Sequence, residues 1–136
     1  MNIPGPVKLL PHVTDAFQDG ARAVEEALSR RQIPLLRREM IREKTGWEAF
    51  FCADASPETL KEITVAIEDR DPVGRLYDMD VIRTDGSKVS REDLHLPGRE
   101  CLLCGEPAHA CARSRRHSVE ELTEEIQRIL AGRYGR

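Results

Sequence analysis

The sequence predicts a single α+β domain with a small sheet, flanking helices and a cysteine-rich segment near the C-terminus. Its 136 residues correspond to about one average domain and suffice to bury a core. Segments with helical periodicity alternate with segments that have the apolar and turn pattern of β-structure. Three of the four cysteines lie in a short stretch. The chain 1–136 therefore divides into an α+β core (1–98), a Cys/Arg-rich segment (99–117) and a C-terminal helix (118–131).

Apolar periodicity and capping residues predict three helices. The first begins near Val13 and repeats apolar side chains on one face. The second begins at Ser56-Pro57, because serine caps helices and proline is favoured at their first position. The last begins with a capping box at Ser118 and is expected to end at Gly132.

Two further segments are predicted as β-structure. Residues 33–55 mix apolar and charged side chains around a turn at Thr45, which indicates a hairpin. Residues 75–83 follow a glycine and are closed by a turn at 84–87, which indicates a strand. Alternation along this strand is expected to bury Tyr77, Met79 and Val81 and to place Leu76, Asp78, Asp80 and Ile82 on the other face.

The composition excludes several classes of protein. A net charge of −3 argues against a general basic coat for nucleic acid, and 4% aromatic residues argue against a base-stacking platform. No apolar run approaches the ~20 residues of a membrane span, and the first residues do not resemble a signal peptide. We therefore expect a cytoplasmic protein without a nucleic-acid or membrane partner, whose cysteines are thiols or metal ligands rather than disulfides.

Asp78 and Asp80 form an Asp-x-Asp pair in the predicted strand. Side chains two apart share one face of a strand, so both carboxylates can converge on Mg²⁺. A helix, a glycine turn and such a strand are the layout of a nucleotidyltransferase-like small sheet, in which Gly74 would allow close approach of a phosphate chain. Glu68 lies just upstream and is a candidate third carboxylate. The alternative is a solvated strand with ordinary surface acids.

The Cys/Arg-rich segment carries a second constellation. Cys101 and Cys104 form a C-x₂-C pair. Cys111 and His117 complete a Cys₃His set, which is a common structural zinc site. His109 is an alternative fourth ligand, and buried or incidental thiols are the alternative to any metal. The remaining cysteine, in the hairpin, is expected in the core.

Arginines accompany both constellations. A dense basic stretch is formed by Arg113, Arg115 and Arg116, and further arginines are Arg75, Arg91 and Arg99. Arginine forks suit phosphates, although a solvated basic turn is the simpler interpretation of charge alone. Together with the aspartates they favour an anionic, metal-bound substrate.

These residues carry a family resemblance. The run Gly74–Val81, G-R-L-Y-D-M-D-V, resembles a signature of the holo-citrate lyase synthase family, also called apo-citrate lyase phosphoribosyl-dephospho-CoA transferases. Residues 2–8, 90–99 and 101–117 are similar to further stretches of that family. The chain has Asp71 where the family usually has histidine before proline, so no role of that histidine is carried over. The family's usual N-terminal segment, with an arginine-bearing helix and a strand, is expected to be missing.

The resemblance implies an enzyme of the nucleotidyltransferase class. Its donor would be 2′-(5″-triphosphoribosyl)-3′-dephospho-CoA, and its acceptor a serine of the citrate lyase acyl carrier (γ) subunit, with diphosphate released. Asp78 and Asp80 would hold Mg²⁺, and Glu68 or one of the aspartates would accept the serine proton. Substrate binding would fall to Gly74, Arg75, Arg91, Arg99, Arg113, Arg115 and Arg116.

Two other functions compete with this interpretation. The first is a small zinc-ribbon module that contacts nucleic acid through the arginines of 113–116. The second is a non-catalytic, truncated relative that only docks the carrier protein.

Overall fold

The computed structural model describes residues 10–43 and 46–135, without the side chain of Ala112. The predictions for residues 1–9 and for the turn residue Thr45 lie outside these ranges. The helices and strands are α1 (Val13–Arg30), β1 (Leu35–Glu43), β2 (Gly46–Ala53), α2 (Pro57–Asp69), α3 (Ala108–Ser114) and α4 (Val119–Tyr134). Two short 3₁₀ turns cover Gly74–Leu76 and Glu92–Leu94. The predicted α+β class is confirmed.

Strands β1 and β2 form the predicted hairpin, a two-stranded antiparallel sheet in which Arg38 pairs with Phe51. Alternate residues of β2 face α1, where the Trp47 ring stacks on Phe17 with the centroids 5.7 Å apart. The same alternation turns Cys52 outward, so the prediction that this thiol belongs to the core is wrong.

The core lies where α1, α2 and α4 meet the segment after α2. Its largest fully buried side chains are Leu76, Ile126 and Leu130. The Tyr77 hydroxyl is buried here and donates to the backbone carbonyl of Ala16 at 2.7 Å. Burial, helped by Asp19 and Asp71, raises the pKa of Tyr77 to about 12, so the phenol stays protonated and keeps this bond at physiological pH.

Both predicted serine caps are confirmed, since Ser56 accepts the backbone N–H of Thr59 and Ser118 forms a capping box with Glu121. Helix α4, however, continues past Gly132, where its end was predicted. The Tyr134 hydroxyl donates to Asp19 of α1 at 2.6 Å. This tertiary contact outweighs the cost of about 1 kcal/mol that a glycine imposes within a helix.

The predicted strand at 75–83 is wrong. Residues 74–76 form a 3₁₀ turn, residues 77–81 are not part of a strand, and only an isolated bridge joins Ile82 to Lys88. Within the described ranges only residues 81–83 pair with another segment, at 87–89, so residues 77–80 have no neighbour with which to form a ladder. Leu76 belongs to the turn and is fully buried, contrary to the predicted face. From Tyr77 to Ile82 the expected alternation holds, with both aspartates exposed.

None of the helices in the described part of the chain combines the length and apolarity needed to span a membrane.

Candidate functional site

Asp78 and Asp80, the acid pair, line one cleft of about 610 Å³. Helices α1 and α2, strand β2 and residues 77–82 surround this cleft, and its walls are largely apolar, including Phe17, Val24, Trp47, Phe51 and Ile63. Of the predicted site residues that lie in the described ranges, only Asp78 and Asp80 line this cleft. The alternation of 77–82 therefore presents two carboxylates to the same solvent-filled space.

Lys88 is a cationic neighbour of the acid pair, and its Nζ lies 3.3 Å from an Asp80 carboxylate oxygen. Both partners are exposed, so solvent screens this ion pair. Over residues 10–43 and 46–135, no third acid, histidine or cysteine joins the two aspartates in a potential metal-binding group. A cation at this place would have two protein carboxylates and open positions for water or ligand oxygens.

Glu68, the candidate third carboxylate, is buried at the end of α2, with its side chain only 3% exposed. Its Oε1 accepts from Arg91 at 2.9 Å, and its Oε2 accepts the backbone N–H of Met79 at 2.9 Å. Arg99 lies 3.6 Å from Oε2. Glu68 is thus bonded to the backbone between the two aspartates, and it does not line the cleft.

Three of the predicted phosphate-binding arginines make contacts inside the protein. Arg91 also binds both carboxylate oxygens of Asp69 at 3.1 Å. Burial opposes its charge, but the bonds to Asp69 and Glu68 outweigh this and raise the pKa of Arg91. Arg99 donates to the backbone carbonyl of Arg75 at 2.5 Å, and Arg75 donates to the carbonyl of Cys101 at 2.9 Å. We name Glu68, Arg75, Arg91 and Arg99 the arginine–glutamate network.

The other three arginines lie at the opposite end of the Cys/Arg-rich segment, and all are exposed: Arg113, Arg115 and Arg116. They occupy the end of α3 and the residues after it, where Arg115 has a positive φ of 51°. The structure does not bring them into the cleft of the acid pair.

Gly74 is buried against the end of α2. Its N–H donates to the Asp71 side chain at 2.7 Å, which gives this aspartate a structural role. A Cβ at Gly74 would lie 2.3 Å from the carbonyl oxygen of Ile67. The close approach that requires a glycine here is therefore between two parts of the same backbone.

We expect Gly74→Ala to lower the free energy of unfolding by about 2 kcal/mol or more, because backbone atoms must move to admit the methyl group. Urea denaturation followed by circular dichroism measures this loss. Gly98→Ala is the matched control, since a Cβ there meets nothing within 4 Å. Equal stability of the two variants would contradict the close contact at Gly74.

The thiol cluster consists of Cys101, Cys104, Cys111 and His117. One potential ligand atom from each lies within 4.8 Å of all the others. The Cys104 and Cys111 sulfurs are 3.5 Å apart, and His117 Nε2 is 3.4 Å from Cys104 Sγ. Of the two histidines considered from the sequence, His117 belongs to this group and the exposed His109 does not. The cluster can hold a metal ion.

Three thiols at this distance cannot all ionise without a compensating cation. Burial opposes ionisation of Cys101, but backbone N–H groups of Leu103 and Cys104 outweigh it and lower the pKa of this thiol. Burial, with the neighbouring thiols, raises the pKa of Cys111 to about 11.

Sequence reasoning found the members of both constellations but missed what connects them. Nothing in the spacing indicated that Glu68 binds Arg91 and Arg99, because those partners lie in loops more than twenty residues away. The buried Lys61 of α2 was also not considered. The one available signal was the acid Glu68 on the apolar face of the α2 pattern, where a buried charge needs a partner.

The resemblance extends over nearly the whole chain. Residues 1–132 match the family described as apo-citrate lyase phosphoribosyl-dephospho-CoA transferase. A protein of Vibrio cholerae serotype O1 named "Probable apo-citrate lyase phosphoribosyl-dephospho-CoA transferase" is 42% identical over 130 residues, which are 95% of this chain and 73% of that protein. A relative of the same name from Streptococcus pyogenes serotype M18 is 37% identical over 133 residues, 96% of this chain and 68% of the relative. The chain therefore belongs to the apo-citrate lyase phosphoribosyl-dephospho-CoA transferase family.

Proposed function

We propose that this chain transfers the phosphoribosyl-dephospho-CoA group to a serine of the apo-citrate lyase acyl carrier (γ) subunit. The donor is 2′-(5″-triphosphoribosyl)-3′-dephospho-CoA, and diphosphate is the leaving group. The observation that carries this proposal is the acid pair within G-R-L-Y-D-M-D-V, exposed in a cleft beside apolar walls. Family membership supports the transferase activity and the biosynthesis of the citrate lyase prosthetic group.

The residues present fit Mg²⁺ at the acid pair. Carboxylate oxygens are the hard ligands that Mg²⁺ prefers, and it commonly keeps waters and substrate phosphates as its other ligands. Two exposed carboxylates with no third protein acid beside them in the described ranges match that pattern. When bound, Mg²⁺ would neutralise charge on the triphosphate of the donor.

In the proposed reaction the serine oxygen forms a bond to the α-phosphorus, and the bond from this phosphorus to the diphosphate breaks. The serine proton passes to a carboxylate of the acid pair. Glu68 is less suited to that task, because its two oxygens already accept from Arg91 and from the Met79 N–H. We propose that Glu68 positions the backbone between the aspartates. Gly74 packs against the backbone of Ile67 and Glu68.

We assign the arginines two different tasks. Arg75, Arg91 and Arg99 hold Glu68 and the surrounding loops in place through their internal contacts. The exposed Arg113, Arg115 and Arg116 lie outside the cleft of the acid pair and suit phosphates of the donor that extend beyond this cleft.

For the thiol cluster we propose Zn²⁺, since Cys₃His is a common structural zinc set. We also propose a cytoplasmic location, since thiols and metal-bound thiolates persist in a reducing compartment. No specific observation favours a nucleic-acid-binding module.

Mass spectrometry of the carrier subunit tests the transferase activity. The purified chain is incubated with apo carrier, donor and Mg²⁺, and we expect the carrier mass to increase by one phosphoribosyl-dephospho-CoA group while diphosphate appears. A carrier in which alanine replaces the acceptor serine should stay unmodified. Stable binding to the carrier without a mass increase would instead favour the docking function.

A further inference from the structure

We infer that zinc bound at the thiol cluster positions the acid pair through the arginine–glutamate network. The inference builds on the zinc site proposed above. Its consequence for catalysis rests on the proposed function, but its structural part does not.

The ligands of the thiol cluster come from three separate pieces of chain. Cys101 and Cys104 belong to the loop before α3, Cys111 belongs to α3, and His117 directly precedes the cap of α4. Helix α3 has seven residues, which is too short for a helix to be stable on its own. A tetrahedral ion would hold this loop and α3 against α4, which is anchored in the core by Ile126 and Leu130.

The loop held in this way carries the contacts of two arginines. Backbone bonds at 99–108 close it, with the Cys101 N–H donating to Glu106 at 2.8 Å and the Ala108 N–H donating to Arg99 at 2.9 Å. The carbonyls of Glu100 and Cys101 accept from the Arg75 side chain at 3.2 and 2.9 Å. In return, the Arg99 side chain donates to the Arg75 carbonyl. Movement of the cysteine loop would therefore disturb the contacts of both arginines.

These arginines lead to the acid pair in two further contacts. Arg99 faces Oε2 of Glu68 at 3.6 Å, and the same oxygen accepts the Met79 N–H at 2.9 Å. Met79 is the residue between the two aspartates, and no ladder holds this segment within the described ranges. The position of Met79 thus depends on the Glu68 carboxylate, which in turn contacts Arg99 beside the metal-held loop.

Amide hydrogen exchange of Met79, measured by nuclear magnetic resonance on the whole chain, tests the inference. Zinc content comes first, and we expect one Zn²⁺ per chain. Removal of this ion by a chelator, or the variant His117→Ala, should raise the exchange rate of the Met79 amide by about tenfold or more. Return of zinc to the chelated protein should restore protection.

Matched controls separate local coupling from general unfolding. The Ile33 amide donates to Leu28 at 2.9 Å, away from the network, and its exchange should change less than about twofold. Cys52→Ser, the cysteine outside the cluster, should keep zinc and Met79 protection. His117→Cys retains four ligands and should keep both, even if His117→Ala folds poorly.

Three results would overturn the inference. The first is a purified protein without metal in which Cys104 and Cys111 form a disulfide. The second is Met79 protection that persists after zinc is removed, and the third is an equal rise in exchange at Ile33 and Met79.

The carrier assay then tests the catalytic consequence, where we expect loss of zinc to raise the Mg²⁺ concentration needed for half-maximal transfer more than it lowers the maximal rate. If the wild-type chain transfers nothing but the exchange results hold, the proposed function fails and the positioning role stands.

Discussion

Asp78→Asn and Asp80→Asn are each expected to slow transfer to the carrier by about 100-fold or more, the usual effect of removing one group that stabilises charge in a transition state. Both side chains are exposed and line the same cleft, so their contribution to the fold is small. Asparagine keeps the shape of aspartate but removes the negative charge, which is needed to bind the cation and to accept the serine proton. Initial rates from mass spectrometry of the carrier, over a range of Mg²⁺ concentrations, measure the effect.

The control variant for this prediction is Glu92→Gln, which removes an exposed acid from a turn outside the cleft. Its rate should match that of the unchanged chain. The free energy of unfolding of the two aspartate variants should stay within about 0.5 kcal/mol, as is usual for surface substitutions. A folded double variant that retains the full rate would rule out the assigned role of the acid pair.

Glu68→Ala is expected to lower the free energy of unfolding by about 3 kcal/mol or more, because it removes the buried partner of Arg91 and leaves this arginine with only the exposed Asp69. The side chains of Glu68 and Arg91 are 3% and 10% exposed, respectively. The substitution also leaves the Met79 N–H without its acceptor. Urea denaturation at neutral pH measures the loss.

Asp69→Ala provides a closely matched control. Asp69 also binds Arg91, at 3.1 Å, but its side chain is 57% exposed, so we expect a loss below about 1 kcal/mol. Similar losses in the two variants would mean that burial does not distinguish these ion pairs. Glu68→Gln should fall between them, since the amide oxygen can still accept one hydrogen bond.

Local sequence signals predicted the elements that depend on local chemistry. The serine caps of α2 and α4 and the turn-centred apolar pattern of the hairpin act over a few residues, and each is found where it was predicted. The strand at 75–83 failed for the complementary reason. An alternating pattern specifies which side chains are buried, but a strand also needs a hydrogen-bonding neighbour, and in the described ranges only residues 81–83 of this segment have one, at 87–89.

The candidate site divides in the same way. The C-x₂-C spacing and a following cysteine and histidine indicated the thiol cluster, because metal ligation requires few residue types at short separations. The bonds of Glu68 to Arg91 and to Met79 had no comparable signal, since charged residues at these separations in sequence are common and most remain in solvent.

By itself, the sequence determined the family, the α+β class, the helices α1, α2 and α4, the hairpin, and the chemical types gathered in the acid pair and the thiol cluster. Only the tertiary structure decided that Gly74 is needed for a backbone contact, that Cys52 faces solvent, and that a buried glutamate connects two arginines to the backbone between the aspartates. The physical reason is range. Caps, turns and periodicity are properties of neighbouring residues, whereas burial of a charge is tolerated only when folding brings distant partners to it.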